Sequence, residues 1–191
     1  MAHDIVYRDA TVYDGTGMSA TAADVAVDGD RIADVGSVSG AADRNVDASN
    51  LALAPGFIDV HTHDDFAAML HPDMAFKSLG GVTTCIVGNC GMGVAPRDTA
   101  WKRGQSFHPG ATPPAYDGFA GYFSVLAEHP PGVNIGVLAG HGTIRLEAMG
   151  TDPAEPDACL LYTSDAADDP TRGGGGGGGG GGGRGGGGGG G

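Results

Sequence analysis

The chain is poor in positive charge. Ten Lys and Arg stand against 23 Asp and Glu, a formal net charge of −13 over 191 residues. So acidic a chain argues against a nucleic-acid partner and suits a soluble protein. Cysteine is scarce as well. Cys85, Cys90 and Cys159 make a poor disulfide framework, so a reduced, cytoplasmic setting is expected. No apolar run approaches membrane-spanning length, and the amino terminus lacks the basic stretch and apolar run of a secretion signal. At the carboxyl end side chains are missing altogether: residues 173–191 are glycine interrupted only by Arg184. A segment with nothing to bury and the largest backbone entropy to lose is expected to be disordered. It also lacks the aromatics that would stack on bases.

What is present falls into two patterns. Residues 1–55 read as short strands separated by turns: Ile5-Val6-Tyr7, Ala10-Thr11-Val12-Tyr13, Asp24-Val25-Ala26-Val27 and Arg31-Ile32-Ala33-Asp34-Val35. Asp28-Gly29-Asp30 is a hairpin signal between the last two. A small antiparallel module with one covered face is expected, marginal unless another layer covers its core. After Pro55-Gly56, strands alternate with helices, the mark of βαβ units and a parallel sheet. The expected elements are a buried strand from Phe57 to His61, a short helix from Met74 to Leu79, and an almost continuously apolar strand from Val82 to Val87. A long loop then runs from Gly88 to about Ala115. A helix over Tyr116 to His129 would bury Phe119, Tyr122, Phe123 and Leu126, and a third strand over Val133 to Leu138 would lead into Gly140-His141-Gly142-Thr143.

The ligand-type residues gather at the expected strand ends. His61 and His63 stand at i and i+2, which on a strand places both imidazoles on one face. Histidine is the commonest ligand for zinc and similar metals, although the same spacing also occurs at solvent-facing strand ends that bind nothing. Asn89-Cys90 follows the second strand and His141 the third. The carboxyl ends of parallel strands line the active site in α/β folds. His3, His71, His108 and His129 share no pattern and are expected at the surface. Cys85 lies inside a strand and reads as a small buried hydrophobe.

Leu53-Ala54-Pro55-Gly56-Phe57-Ile58-Asp59-Val60-His61-Thr62-His63, after a series of small strands, resembles the amidohydrolase superfamily. Within it, Gly81-Val82-Thr83-Thr84, Gly88-Asn89-Cys90-Gly91, the pair Asp64-Asp65 and Gly140-His141-Gly142-Thr143-Ile144-Arg145 resemble the N-acyl-D-amino-acid deacylases. The resemblance covers residues 1 to about 157. It implies an α/β fold: an incomplete (β/α)₈ metal-dependent hydrolase barrel preceded by part of a small β-sandwich. It implies zinc as cofactor, with His61, His63 and Cys90 as metal ligands. Two further histidine ligands and a catalytic aspartate would come from later barrel strands that this sequence does not contain. It implies hydrolysis of small-molecule N-acyl-D-amino acids to a D-amino acid and a carboxylate. Cys90 otherwise reads as an ordinary loop thiol. His141 either projects toward substrate or holds its loop. Asp65 either orients His63 through a hydrogen bond or caps the following turn.

The amidohydrolase pattern ends near residue 157, after about three βα units, whereas a complete barrel takes roughly 250 residues. Cys159-Leu160-Leu161-Tyr162-Thr163-Ser164 is what the codons TGT CTC TTA TAC ACA TCT encode. That string resembles the transposase-end adapter of sequencing libraries, and uninterrupted guanosine would translate as glycine. The expected organisation is therefore a β-sandwich portion over 1–55, the first βα units of the barrel over 56–157, and a non-native tail over 158–191. Such a chain is expected to lack activity as written. Varied glycine codons without an adapter string would overturn the reading of the tail. Competing expectations are a cyclic amidase of the same superfamily, such as a dihydroorotase, a hydantoinase or an imidazolonepropionase, and a non-enzymatic glycine-rich binding protein.

Overall fold

Residues 2–153 and 155 are described by a computed structural model. The glycine-rich tail and adapter-like segment expected over 158–191 lie outside the described residues, as does Cys159. The described chain has a mixed α/β fold with two sheets.

The first sheet contains β1 (His3–Val12), β2 (Thr21–Asp28), β3 (Arg31–Gly36), β4 (Ala42–Asp47) and the short β5 (Ala52–Leu53). The hairpin expected at Asp28-Gly29-Asp30 forms: Asp28 pairs with Arg31, leaving a two-residue turn. The sheet is not the purely antiparallel module that the turns suggested. β4 and β5 both pair with β1 in parallel, giving the order β3-β2-β1-β4 with β5 beside β1. The cause is a crossover. After β3, residues 37–41 carry the chain to the far side of β1, and Val38 packs on Val6 and Ala26 as it passes. Arg8 pins this crossing: Nη1 donates to the Val38 carbonyl at 2.6 Å and to Asp24 Oδ2 at 2.9 Å, while Nε donates to Asn45 Oδ1 at 3.0 Å. One face is thus covered. The opposite face presents Ile32 and Val35, both exposed.

The second sheet is parallel throughout, in the order β6 (Phe57–Asp59), β7 (Val82–Val87), β8 (Asn134–Val137). Between the first two lie the single-turn helices α1 (Ala67–Leu70) and α2 (Ala75–Ser78). Between β7 and β8 lie α3 (Arg97–Gly104), a 3₁₀ turn at Gln105–Phe107 and α4 (Gly118–Glu128), and α5 (His141–Met149) follows β8. The long loop expected from Gly88 to Ala115 therefore contains a helix. Arg97-Asp98-Thr99-Ala100-Trp101-Lys102-Arg103-Gly104 has little amphipathic periodicity, so tertiary contact rather than pattern makes it helical. α5 was equally hidden, by the glycines at its start.

One core unites these elements. Tyr122 and Leu126 of α4 are buried as the helical spacing requires, packed with Met74, Cys85, Val94 and Phe66. Phe119 is partly buried, but Phe123 is exposed. Tyr122 has no exposed surface and donates its hydroxyl to the Asp65 carbonyl at 2.7 Å, satisfying its one polar group. β6 departs from expectation: it ends at Asp59, and Phe57, Ile58 and Val60 are exposed among the described residues. Of the scattered histidines, His71 and His129 are exposed, while His3 is half-buried against Asp28 and His108 half-buried against Trp101. Among the described residues no helix is long and apolar enough to cross a membrane.

Candidate metal centre

The segments that follow the three parallel strands stay together beyond the sheet. Thr62 N–H donates to the Ile86 carbonyl, Leu138 N–H to Val87 and Thr143 N–H to Gly91. Close approach of the last two loops requires glycine: a Cβ on Gly140 would lie 1.8 Å from the Met92 carbonyl oxygen, and one on Gly88 would lie 2.2 Å from that of Leu138.

His61, His63 and Cys90 meet at this end, each offering a ligand atom within 4.8 Å of the others. The i, i+2 spacing does not act through strand geometry, because β6 stops before His61. The two imidazoles sit on the loop instead, with ring centroids 5.8 Å apart and planes at 77°. His61 Nε2 lies 3.1 Å from Cys90 Sγ. Cys90 takes a positive φ of 56°, unusual for a residue with a side chain. Arg103 holds the next residue, donating from Nη1 to the Gly91 carbonyl at 2.8 Å and to Thr143 Oγ1 at 3.0 Å. Asn89 ties the two ligand loops together: Nδ2 donates to the Ile86 carbonyl at 2.7 Å and to the Thr62 carbonyl, between the two histidines, at 3.4 Å.

One sequence expectation changes here. Asp65 neither orients His63 nor caps a helix: His63 Nδ1 and Asp65 Oδ1 are both buried without a hydrogen-bond partner, and α1 has no side-chain cap. Burial pushes the Asp65 carboxyl above its ordinary range, against its own N–H and that of Gly88. His141, exposed at the start of α5, is not among the residues gathered with His61. It lies at the same end of the sheet, next to Gly142, whose backbone packs on Gly91. Cys85 is buried inside β7, as its position implied.

Two imidazoles and a thiol form a nitrogen and sulfur donor set that suits zinc. The buried, unpartnered Nδ1 of His63 is a second sign of fit, since such a group in a folded protein calls for a partner. Asp59, Asp64 and Cys85 also bring ligand-type atoms within 4.8 Å of one another. There, however, the Lys77 ammonium already meets both carboxylates, at 2.7 and 2.9 Å. The sequence offered no sign of Lys77 or Arg103 as supports, because neither belongs to a ligand-type pattern. Asn89 and Thr143 stood within the motifs, but the contacts they make to Thr62 and Arg103 span long sequence separations.

Comparison with known proteins extends this picture. The sequence profile of the amidohydrolase family matches residues 44–171. Over 156 residues the chain is 38% identical to an N-acyl-D-glutamate deacylase of Alcaligenes xylosoxydans xylosoxydans, covering 81% of this chain and 32% of that protein. A solved D-aminoacylase structure is 38% identical, with a TM-score of 0.73 over 87% of this chain and 36% of that one. The N-acyl-D-glutamate deacylase of Bordetella bronchiseptica, complexed with zinc and a phosphonate mimic of the tetrahedral intermediate, is 33% identical with a TM-score of 0.72. That match covers 87% of this chain and 35% of that one. The chain spans about a third of the length of the curated relatives it matches.

Proposed function

The chain belongs to the amidohydrolase family, and from that premise we propose that it is part of a zinc-dependent hydrolase that deacylates N-acyl-D-amino acids. The observation that carries the reading is the convergence of His61, His63 and Cys90 from two separate loops. These three residues would hold the metal. The chemistry supplied by zinc, when bound, is polarisation of the scissile carbonyl and acidification of a water. The chain's own part is to present the ligands on a rigid frame, with Asn89 linking the two loops and Arg103 fixing Gly91. His141 is the candidate for contact with substrate. The remaining ligands and the aspartate that protonates the leaving amine are assigned to the part of the family's length that this chain does not span. In this reading residues 1–55 are a portion of a β-sandwich, 56–157 are the first units of a (β/α)₈ barrel and 158–191 are a non-native tail. The similarity to deacylases of N-acyl-D-glutamate, and to D-aminoacylase, supports a linear amide rather than a cyclic one as substrate.

Cobalt(II) titration tests the metal assignment. A thiolate-to-cobalt charge-transfer band is expected, displaced by zinc and lost in Cys90→Ser; a chain showing no band would remove the basis of the proposal. The substrate assignment is tested by a chimera in which residues 2–153 replace the matching part of the Alcaligenes enzyme. Zinc-dependent release of amino acid from N-acyl-D- but not N-acyl-L-substrates is expected, and the opposite preference would overturn it.

A further inference from the structure

We propose that Lys77 is a positioning residue whose ammonium locks the loop carrying His61 and His63 into its metal-binding shape. This rests on the assignment of those histidines and Cys90 to a metal. Lys77 belongs to α2, outside both ligand loops, yet its side chain is only 18% exposed. Nζ donates to Asp59 Oδ2 at 2.7 Å and to Thr62 Oγ1 at 3.1 Å, and pairs with Asp64 Oδ2 at 2.9 Å. Three acceptors match the three donors of an ammonium. All three lie on the ligand segment itself, interleaved with the histidines: Asp59 precedes His61, Thr62 stands between His61 and His63, and Asp64 follows.

The contacts also close on one another. The second oxygen of Asp59 accepts the His61 backbone N–H at 3.2 Å, so a single carboxylate joins the ammonium to the main chain of a ligand. Thr62 Oγ1 donates to Asp64 Oδ2. Lysine is seldom buried unless paired, and here each polar contact of the ammonium is directed at one segment of six residues. That segment has left the β ladder after Asp59, so it lacks regular strand hydrogen bonds to fix its shape. Lys77 replaces them. It touches none of the ligand atoms in the cluster, so its effect on the metal passes through the backbone it fixes. The competing role is a salt bridge that stabilises the fold and nothing else.

Zinc affinity of the 191-residue chain, measured by competition with a chromophoric chelator, separates the two roles. Lys77→Met is expected to weaken zinc binding about 10- to 100-fold, the usual effect of removing a support around a metal ligand. Lys77→Arg, which keeps the charge and the donors, should recover most of that loss. Val6→Ala, in the other sheet, should lower stability without changing zinc affinity. An unchanged affinity in folded Lys77→Met would overturn the inference. If that variant loses its secondary structure by circular dichroism, Asp59→Asn is read in the same titration, and unchanged affinity there overturns it equally. No zinc binding by the unsubstituted chain would instead overturn the metal assignment, and the inference with it.

Discussion

The two sheets of this chain are built on different plans. The first is made mostly from local antiparallel pairings of β1, β2 and β3, with β4 and β5 added in parallel to β1 after a short crossover. Its covered face is closed by three small apolar residues, Val6, Ala26 and Val38. Its crossover is held in place by one arginine, Arg8. The second is made from parallel strands whose neighbours are far apart in sequence, under a larger core that includes Tyr122, Met74 and Val94. The ligand-type clusters of the described residues occur only in the second region. The difference teaches why the site sits where it does. Parallel strands need long connections, and those connections place loops from distant parts of the sequence side by side. A hairpin sheet brings together mostly neighbours.

Substitutions can sharpen this contrast, beginning with the deepest side chain. Tyr122→Ala should cost about 4 kcal/mol, as large aromatic truncations in a core do, and lower the urea midpoint accordingly. It should also loosen the Asp65 segment that the hydroxyl anchors. Next is Gly140→Ala, expected to destabilise by about 3 kcal/mol because its Cβ would fall on the Met92 carbonyl. Gly17→Ala in the first region meets open space, and only its φ of 83° resists the change, so about 1 kcal/mol is expected. Equal costs in urea unfolding would show that the close loop packing is not what distinguishes the second region. Val6→Ala should cost about 2 kcal/mol, two buried carbons plus a small cavity.

The smallest expected effect is one of pH. Asp24 is held below its ordinary carboxyl range by the Asp9 N–H and by Arg8. A depressed carboxyl contributes stability that is full above its unfolded value, near 3.8, and is lost as pH falls through the lower folded value. Melting temperature followed from pH 7 down to about 2 should therefore decline less steeply at the acid end in Asp24→Asn than in the unsubstituted chain. Parallel curves would mean that Arg8 fixes the crossover through its carbonyl contacts alone.

Much of this was legible along the chain. Strands β7 and β8 and helix α4 fell where their apolar patterns placed them, and the Asp28 to Arg31 hairpin followed from its turn residues. The error at β6 is instructive. Its apolar run reads as a strand through His61, but pairing with β7 ends at Asp59, and a strand exists only as long as a partner does. The helix α3 was missed for the converse reason: its residues carry a weak pattern, and its contacts with α5 supply what the pattern does not.

By itself the sequence determined which residues could bind a metal and that they would follow strand ends, because residue type and local periodicity are properties of neighbours in the chain. It could not determine what holds them. Lys77 reaches Asp59 across 18 positions, Asn89 reaches Thr62 across 27, and Arg103 reaches Thr143 across 40. These contacts depend on the parallel register of β6, β7 and β8, which brings the three loops to one end. Only tertiary structure decides that register, because the energy that selects it comes from packing and hydrogen bonds between segments distant in sequence.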